Sequence, residues 1–155
     1  MRALYLLIGC SALLAACSGG QSRAPAGNEQ ASAEALPPAA NATDTMDGTA
    51  WAQFSGDAAA GQRVFLQCQA CHAVEPGANR LGPTLHGVVG RRAGSVSGFG
   101  YSQANRSAGI TWTPEKLFQY LENPRRVVPG TTMAFAGIGD GQRRADLIAY
   151  LATLR

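Results

Sequence analysis

The chain has 155 residues, a formal net charge of +3 and only 7% aromatic residues, and it contains no basic run longer than an Arg-Arg pair. This composition gives little support to nucleic-acid binding, which favours a concentrated basic surface. The charge is divided unevenly along the chain. Residues 51–155 carry eleven Arg or Lys and six Asp or Glu, whereas residues 17–50 carry one Arg and four acidic residues. The composition therefore predicts a basic folded part preceded by an acidic segment.

The N-terminus begins with an apolar run from Ala3 to Ala16. This run is too short to span a bilayer and is typical of the hydrophobic part of a secretory signal. It ends in Leu14-Ala15-Ala16-Cys17, which resembles the lipobox of bacterial lipoproteins, where the cysteine is acylated and becomes the first mature residue. We therefore expect a signal peptide over residues 1–16 and a lipidated Cys17. This places the protein on the periplasmic side of a bacterial membrane, either inner or outer.

Two other interpretations of this run explain the sequence less well. A rival lipobox ending at Cys10 would leave a hydrophobic part of only a few residues. An ordinary secretory signal or an uncleaved anchor would not require a cysteine directly after two small residues. With Cys17 acylated and Cys10 removed, no disulfide is expected.

Residues 18–50 are rich in Ala, Gly, Pro, Ser, Asn and Thr and contain almost no large apolar residue. Such a segment buries too little surface to offset its ordering entropy, so the sequence predicts a disordered tether over residues 17–50. Pro25, Pro37 and Pro38 argue against an Ala-rich helix. The folded domain is then expected over residues 51–155.

The motif Cys68-Gln69-Ala70-Cys71-His72 has the spacing of a c-type haem attachment site. Thiols one helical turn apart can each form a thioether with a porphyrin vinyl group, and His72 is then placed to ligate the iron. A zinc site would need a second pair of ligands, but the only later Cys or His is His86. A thioredoxin-like dithiol would need an α/β pattern, which is absent from this sequence. The motif therefore predicts one covalent haem c with its iron.

Three helices are predicted around this motif. The first runs from about Asp57 to Gln67 and ends at the motif, and the second begins with Thr113-Pro114 and stops at Asn123-Pro124. The last is capped by Asp140 and continues to the C-terminus with an apolar side. Because no alternating pattern is long enough to build a sheet, the predicted fold class is all-α, with long loops wrapped around the haem.

A sixth iron ligand is expected from Met133, which lies in the Pro-Gly loop 128–133 rather than on an apolar helical face. Methionine is more often a core residue than a ligand, but this placement suits the Met/His pair of electron-transfer haems. His86 is the competing candidate.

Residues 56–154 resemble a class I cytochrome c of the mitochondrial and bacterial soluble type. The resemblance rests on Gly82-Pro83-Thr84-Leu85-His86-Gly87 and on the stretch from Pro129 to Ile138, in addition to the haem motif. It implies that the Pro83 carbonyl receives the N–H of His72, that Tyr120 and Thr131 bond near Met133, and that Phe135 covers the haem edge. It further implies groups on the propionate side of the haem, namely Arg91, Tyr101, Asn105 and Trp112.

The resemblance implies a monomeric carrier of single electrons between respiratory complexes, from a quinol-oxidising complex to a terminal oxidase or similar acceptor. It also implies a domain that is not an enzyme. A haem peroxidase would need an open sixth position and distal acid–base groups, which the sequence does not offer. A fixed subunit of a larger oxidoreductase is the other alternative, against which the long tether argues.

Overall fold

The computed structural model describes residues 36–155. The predicted signal peptide, Cys17 and much of the predicted tether lie outside this range. The described helices are α1 (Ala58–Phe65), α2 (Gln103–Ser107), α3 (Pro114–Glu122), α4 (Pro124–Val127) and α5 (Gly141–Thr153), preceded by a 3₁₀ turn at Trp51–Gln53. Residues 36–155 contain no β-strand, only an isolated bridge between Arg92 and Thr111. The all-α prediction is confirmed, and no helix of this part is long and apolar enough to cross a membrane.

The three helices predicted from their capping residues are present. The side chain of Asp57 accepts the Ala59 amide at 2.8 Å at the start of α1, and that of Asp140 accepts the Arg143 amide at 2.9 Å at the start of α5. The Thr113 hydroxyl accepts the Lys116 amide at 3.2 Å at the start of α3. Each bond satisfies an N–H that the helix itself leaves free. The first helix ends at Phe65, two residues earlier than predicted.

Helices α1 and α5 cross in direct contact at Gly61. A Cβ atom at this position would lie 1.9 Å from the Asp146 carbonyl oxygen, so only glycine permits this approach. Beside the crossing, the rings of Phe65 and Tyr150 are 5.3 Å apart between centroids. This crossing fixes the helix that leads into the haem motif.

Helix α3 runs through the middle of the folded unit, and its residues from Lys116 to Leu121 are all buried. Phe118 is 1% exposed and packs against the rings of Trp51 and Phe54, with centroid distances of 6.1 Å and 5.4 Å. The buried stretch also includes polar residues, and these are hydrogen-bonded to a segment that the sequence analysis placed in the tether.

Residues 39–49, here called the strap, lie against α3, whereas the sequence predicted disorder up to residue 50. The buried Lys116 ammonium donates to the carbonyls of Ala39 (3.1 Å) and Ala42 (2.8 Å). The Gln119 side chain donates to the Asp44 carbonyl at 2.7 Å, and the Glu122 carboxylate accepts the Met46 and Asp47 amides at 2.6 Å and 2.9 Å. The folded unit therefore includes residues 39–49, which are held to α3 by hydrogen bonds rather than by buried apolar side chains.

Candidate haem-binding site

The cysteine motif forms a single helical turn directly after α1. The Cys68 amide donates to the Phe65 carbonyl at 2.7 Å, and the His72 amide donates to the Cys68 carbonyl at 3.0 Å. Cys68 is partly buried and Cys71 is exposed, and both thiols are free. Burial, followed by the nearby Cys71, raises the pKa of the Cys68 thiol to about 11. The predicted arrangement of two thiols and one imidazole on one turn is present.

The His72 ring is oriented by the predicted contact with Pro83. Its Nδ1 atom lies 2.7 Å from the Pro83 carbonyl oxygen. A carbonyl can only accept, so Nδ1 carries the hydrogen and the Nε2 lone pair is left for a metal. Burial lowers the pKa of His72 despite the opposing effect of the Pro83 bond, and Arg91 lowers it further. The ring is thus held in the neutral form that ligates iron.

Gly82 forms the surface on which the His72 ring lies. A Cβ atom at Gly82 would be 2.3 Å from Cε1 and 2.6 Å from Nδ1 of the ring. The Gly82 amide also donates to the Cys71 carbonyl at 2.8 Å, which ties this loop to the haem motif. Gly82 directly precedes Pro83 in the sequence motif, but the contact with His72 is visible only in the fold, because the two residues are ten positions apart.

Arg91 binds the backbone of the same loop. Its guanidinium donates to the Thr84 carbonyl at 2.8 Å and to the His86 carbonyl at 2.7 Å. Burial lowers the pKa of Arg91. Two donors of the guanidinium thus hold the loop that contacts His72, and the role beside the propionates that the resemblance implies for Arg91 stays a prediction. His86, the competing ligand, has its carbonyl bound in this bridge.

The remaining propionate-side candidates differ in burial, since Trp112 is buried and Tyr101 and Asn105 are partly buried. The rings of Trp112 and Tyr120 are 4.6 Å apart between centroids. Tyr101 is partly buried, and burial raises its pKa while the charge of Arg91 acts in the opposite direction. Asn105 on α2 has a buried Oδ1 atom without any hydrogen-bond partner in the described residues. A side-chain amide can present either its oxygen or its N–H₂ group, so this orphaned group fits a haem propionate.

Met133 lies beside Tyr120, where the resemblance implied. The Tyr120 hydroxyl is 3.7 Å from Met133 Sδ, and the Met133 amide donates to the Thr131 hydroxyl at 3.3 Å. Burial raises the pKa of Tyr120 to about 12, with Thr131 lowering it slightly. The tyrosine therefore remains a neutral donor to the sulfur across the physiological range.

Phe135 is half-buried farther along the same loop. It borders a cavity of about 430 Å³ together with Asn123, Arg125, Ala134 and Ala136. Beyond Phe135, the loop returns to α3 at Gly137, where a Cβ atom would lie 2.0 Å from the Glu122 carbonyl oxygen. Gly137 has a φ of +105°, so this close approach and this backbone conformation both favour glycine.

These groups fit a covalently bound haem better than a bare metal ion. Cys68 and Cys71 offer free thiols for the vinyl groups, and His72 offers a free Nε2 atom. The Met133 sulfur lies beside the hydroxyl donor of Tyr120, and the side-chain amide of Asn105 lacks a partner for its oxygen. Within residues 36–155, no three His, Cys, Asp or Glu side chains are grouped to hold a metal ion without a porphyrin.

Comparisons with known proteins agree with this chemistry. A family model for cytochrome c matches residues 58–155. Cytochrome c 2.1 of Caenorhabditis elegans is 52% identical over 98 residues, covering 63% of this chain and 88% of the relative. Cytochrome c2 of Blastochloris viridis is 51% identical over 96 residues, covering 61% of this chain and 76% of the relative.

A solved structure gives the same answer at the level of the fold. Cytochrome cH from Methylobacterium extorquens aligns with a TM-score of 0.61 at 48% sequence identity, covering 63% of this chain and 99% of that chain. Proteins of this kind hold one covalently attached haem c with its iron and exchange electrons with redox partners, and they are not enzymes. The motif, the fold and the relatives together show that this chain belongs to the cytochrome c family, as a class I monohaem electron carrier.

Proposed function

We propose that this protein is a lipid-anchored periplasmic cytochrome whose iron is held by His72 and Met133. It carries single electrons from a quinol-oxidising complex to a terminal oxidase or a similar acceptor. The observation that carries the ligand assignment is the 2.7 Å contact between His72 Nδ1 and the Pro83 carbonyl, which leaves Nε2 free for iron. The neighbouring Tyr120 and Thr131 support Met133 as the second ligand.

The chain supplies the groups that keep such a centre closed and stiff. Haem c, when bound, provides an iron that takes up and releases one electron. Cys68 and Cys71 would hold the haem through thioether bonds, and Pro83 keeps His72 in one tautomer and orientation. The Tyr120 hydroxyl and the Thr131 side chain restrain Met133. Ligands held this way move little when the electron arrives or leaves, which favours fast transfer rather than substrate binding.

Few positively charged side chains near the Met133 loop are free to dock to an acidic partner. The only lysine of residues 51–155, Lys116, is 2% exposed and bonded to the strap, so it adds nothing to a docking face. Arg125 is exposed next to the loop of Met133, while its neighbour Arg126 is paired with Asp44. A membrane anchor would compensate for weak electrostatic steering, because it raises the effective concentration near the partners.

The methionine assignment is tested by Met133→Ala. We expect the oxidised protein to lose the methionine–iron charge-transfer band and its reduction potential to fall, because a thioether ligand raises the potential relative to other axial partners. Visible spectroscopy and a redox titration measure both effects. Leu36→Ala is the control, since the Leu36 side chain is 90% exposed and lies outside the strap, and it should leave both quantities unchanged. A variant lacking Met133 that keeps the band would exclude this assignment.

The anchor is tested by Cys17→Ser. The lipobox resemblance predicts that the native protein fractionates with membranes and that its N-terminal peptide carries acyl chains, since stable anchoring requires more than one chain. The variant should lose the lipid and no longer fractionate with membranes as a mature lipoprotein. Separation of inner and outer membranes, with mass spectrometry of the N-terminal peptide, measures both. An unmodified Cys17 in the native protein would refute the anchor while leaving the haem assignment intact.

A further inference from the structure

The strap contacts a buried arginine of α5. Arg144 is fully buried, and its Nη2 atom donates to a carboxylate oxygen of Asp47 at 2.7 Å and to the Thr49 hydroxyl at 3.1 Å. The second nearby carboxylate, that of Glu122, is farther away at 3.8 Å. The guanidinium also lies over the ring of Phe118, 4.3 Å from its centroid. Asp47 is therefore the closest counter-charge of a cation that has no access to water.

The other end of the same guanidinium binds the loop that carries Met133. Arg144 Nη1 donates to the carbonyls of Ile138 at 2.9 Å and Gly139 at 3.0 Å, where this loop ends. The Ile138 amide donates to the Leu121 carbonyl of α3 at 2.8 Å. The Arg144 guanidinium thus joins the strap to the end of the Met133 loop. Because the guanidinium is planar and rigid, a rotation imposed at Nη2 also moves Nη1.

The energetics of burial make this link a strong one. A buried guanidinium that loses its carboxylate is costly, so it would turn toward another acceptor or draw in water. Either response disturbs the bonds from Nη1 to Ile138 and Gly139. The Nε atom of Arg144 is already buried without a partner in the described residues, so the loss of Asp47 would add to the unsatisfied donors of the same guanidinium.

We propose that Asp47 and Thr49 of the strap are positioning residues for Met133, acting through Arg144. This inference rests on the proposed ligation of iron by Met133. The strap holds the guanidinium, the guanidinium holds the end of the loop, and the loop holds the sulfur beside Tyr120. A segment before the predicted domain boundary thereby sets how readily the sixth ligand leaves the iron.

The test uses Asp47→Ala and Thr49→Val in the complete haem-loaded protein. Cyanide binds the oxidised iron only after Met133 has left, so its binding rate reports on the loop. We expect cyanide to bind about fivefold or more faster in Asp47→Ala and to a smaller extent in Thr49→Val. Hydrogen exchange of the backbone amides of residues 131–139 should accelerate in the same order, and this measurement does not involve the iron.

Asp57→Ala is the matched control. Asp57 caps α1, so its removal deletes one negative charge and one amide acceptor at the start of a different helix. Equal acceleration of cyanide binding in Asp57→Ala and Asp47→Ala would show a general loss of stability and would overturn the proposal. Acceleration restricted to the strap variants would support it.

The outcomes separate this proposal from the assignment of Met133. If Met133→Ala keeps its charge-transfer band, the ligation is wrong, and exchange of amides 131–139 still decides whether the strap positions the loop. If the ligation holds but neither amide exchange nor cyanide binding responds to Asp47→Ala beyond the control, the strap has no positioning role.

Discussion

At the scale of single residues, Gly82 shows how closely the site is packed around His72, because any side chain at this position would overlap the imidazole ring. Gly82→Ala places a Cβ atom 2.3 Å from Cε1, so the ring must move away from the Pro83 carbonyl. We expect a lower yield of haem-loaded protein and a loss of about 2 kcal/mol in the free energy of unfolding. Absorbance of the purified haem protein and denaturant unfolding measure the two effects.

Gly100→Ala is the control for this substitution. Gly100 has no atom within 4 Å of its would-be Cβ position, and it does not have a positive φ. This variant should fold and load haem like the native protein. If Gly82→Ala behaved in the same way, the tight contact with His72 would have no consequence for the site.

Single residues also show which parts of the site a sequence can reveal. Cys68, Cys71 and His72 lie on one turn, so the haem motif predicted their arrangement, whereas the contact between His72 and Pro83 was expected only from the resemblance to cytochrome c. Arg144 and Lys116 were not predicted as buried, because charged side chains are rarely buried unless paired. Their partners, Asp47 and Ala39, are 97 and 77 residues away in the chain. The one available signal was Arg144 on the same helical face as Leu147, Ile148 and Leu151.

At the scale of elements, the crossing of α1 and α5 depends on Gly61. Gly61→Ala would put a Cβ atom 1.9 Å from the Asp146 carbonyl oxygen, and the two helices would have to separate. We expect a loss of about 2 kcal/mol in the free energy of unfolding, since an overpacking cost of about 3 kcal/mol outweighs the gain of about 1 kcal/mol in helix propensity. Urea unfolding measures this difference. Gln62→Ala, at the exposed neighbouring position of the same helix, should change stability by less than about 0.5 kcal/mol.

The secondary structure shows how element length limits prediction. Asp57, Thr113 and Asp140 marked the starts of α1, α3 and α5 because each precedes a periodic apolar pattern long enough to recognise. Helices α2 and α4 were missed. They have only five and four residues, although each begins with a capping side chain, Ser102 and Asn123. A cap without a following periodicity does not predict a helix.

At the scale of the whole molecule, the boundary of the folded unit was the least predictable feature. Composition identifies segments that cannot bury apolar surface, and it correctly described residues 39–49 as polar and small. It cannot show that buried polar side chains elsewhere, here Lys116, Gln119 and Arg144, complete their hydrogen bonds with this segment. A domain cut at residue 51 would leave these three polar groups without the strap, so expression of the isolated domain should retain residues from about 39 onward.

The strap also gives the whole molecule a dependence on acidic pH through Asp47. Burial raises the pKa of this carboxyl, but bonds from Thr49 and Arg144 outweigh burial and hold it well below its ordinary value of 3.8. A carboxyl with a lowered pKa in the fold contributes stability that is complete above its unfolded pKa and is lost as the pH falls through the folded pKa. The contribution of Asp47 should therefore be constant near neutrality and decline below about pH 4.

Asp47→Asn measures that contribution, because it removes the charge and keeps the shape. We expect the native protein to exceed the variant by about 2 kcal/mol in the free energy of unfolding between pH 5 and 7, as for a hydrogen bond to a charged group. This difference should shrink as the pH is lowered from 4 toward 2, since protonation makes the native carboxyl resemble the amide. Urea unfolding across this range gives the curve, with Glu115→Gln on the exposed side of α3 as the control. A difference that stayed constant down to pH 2, or grew on acidification, would mean that the ionised carboxylate of Asp47 does not hold the strap to Arg144.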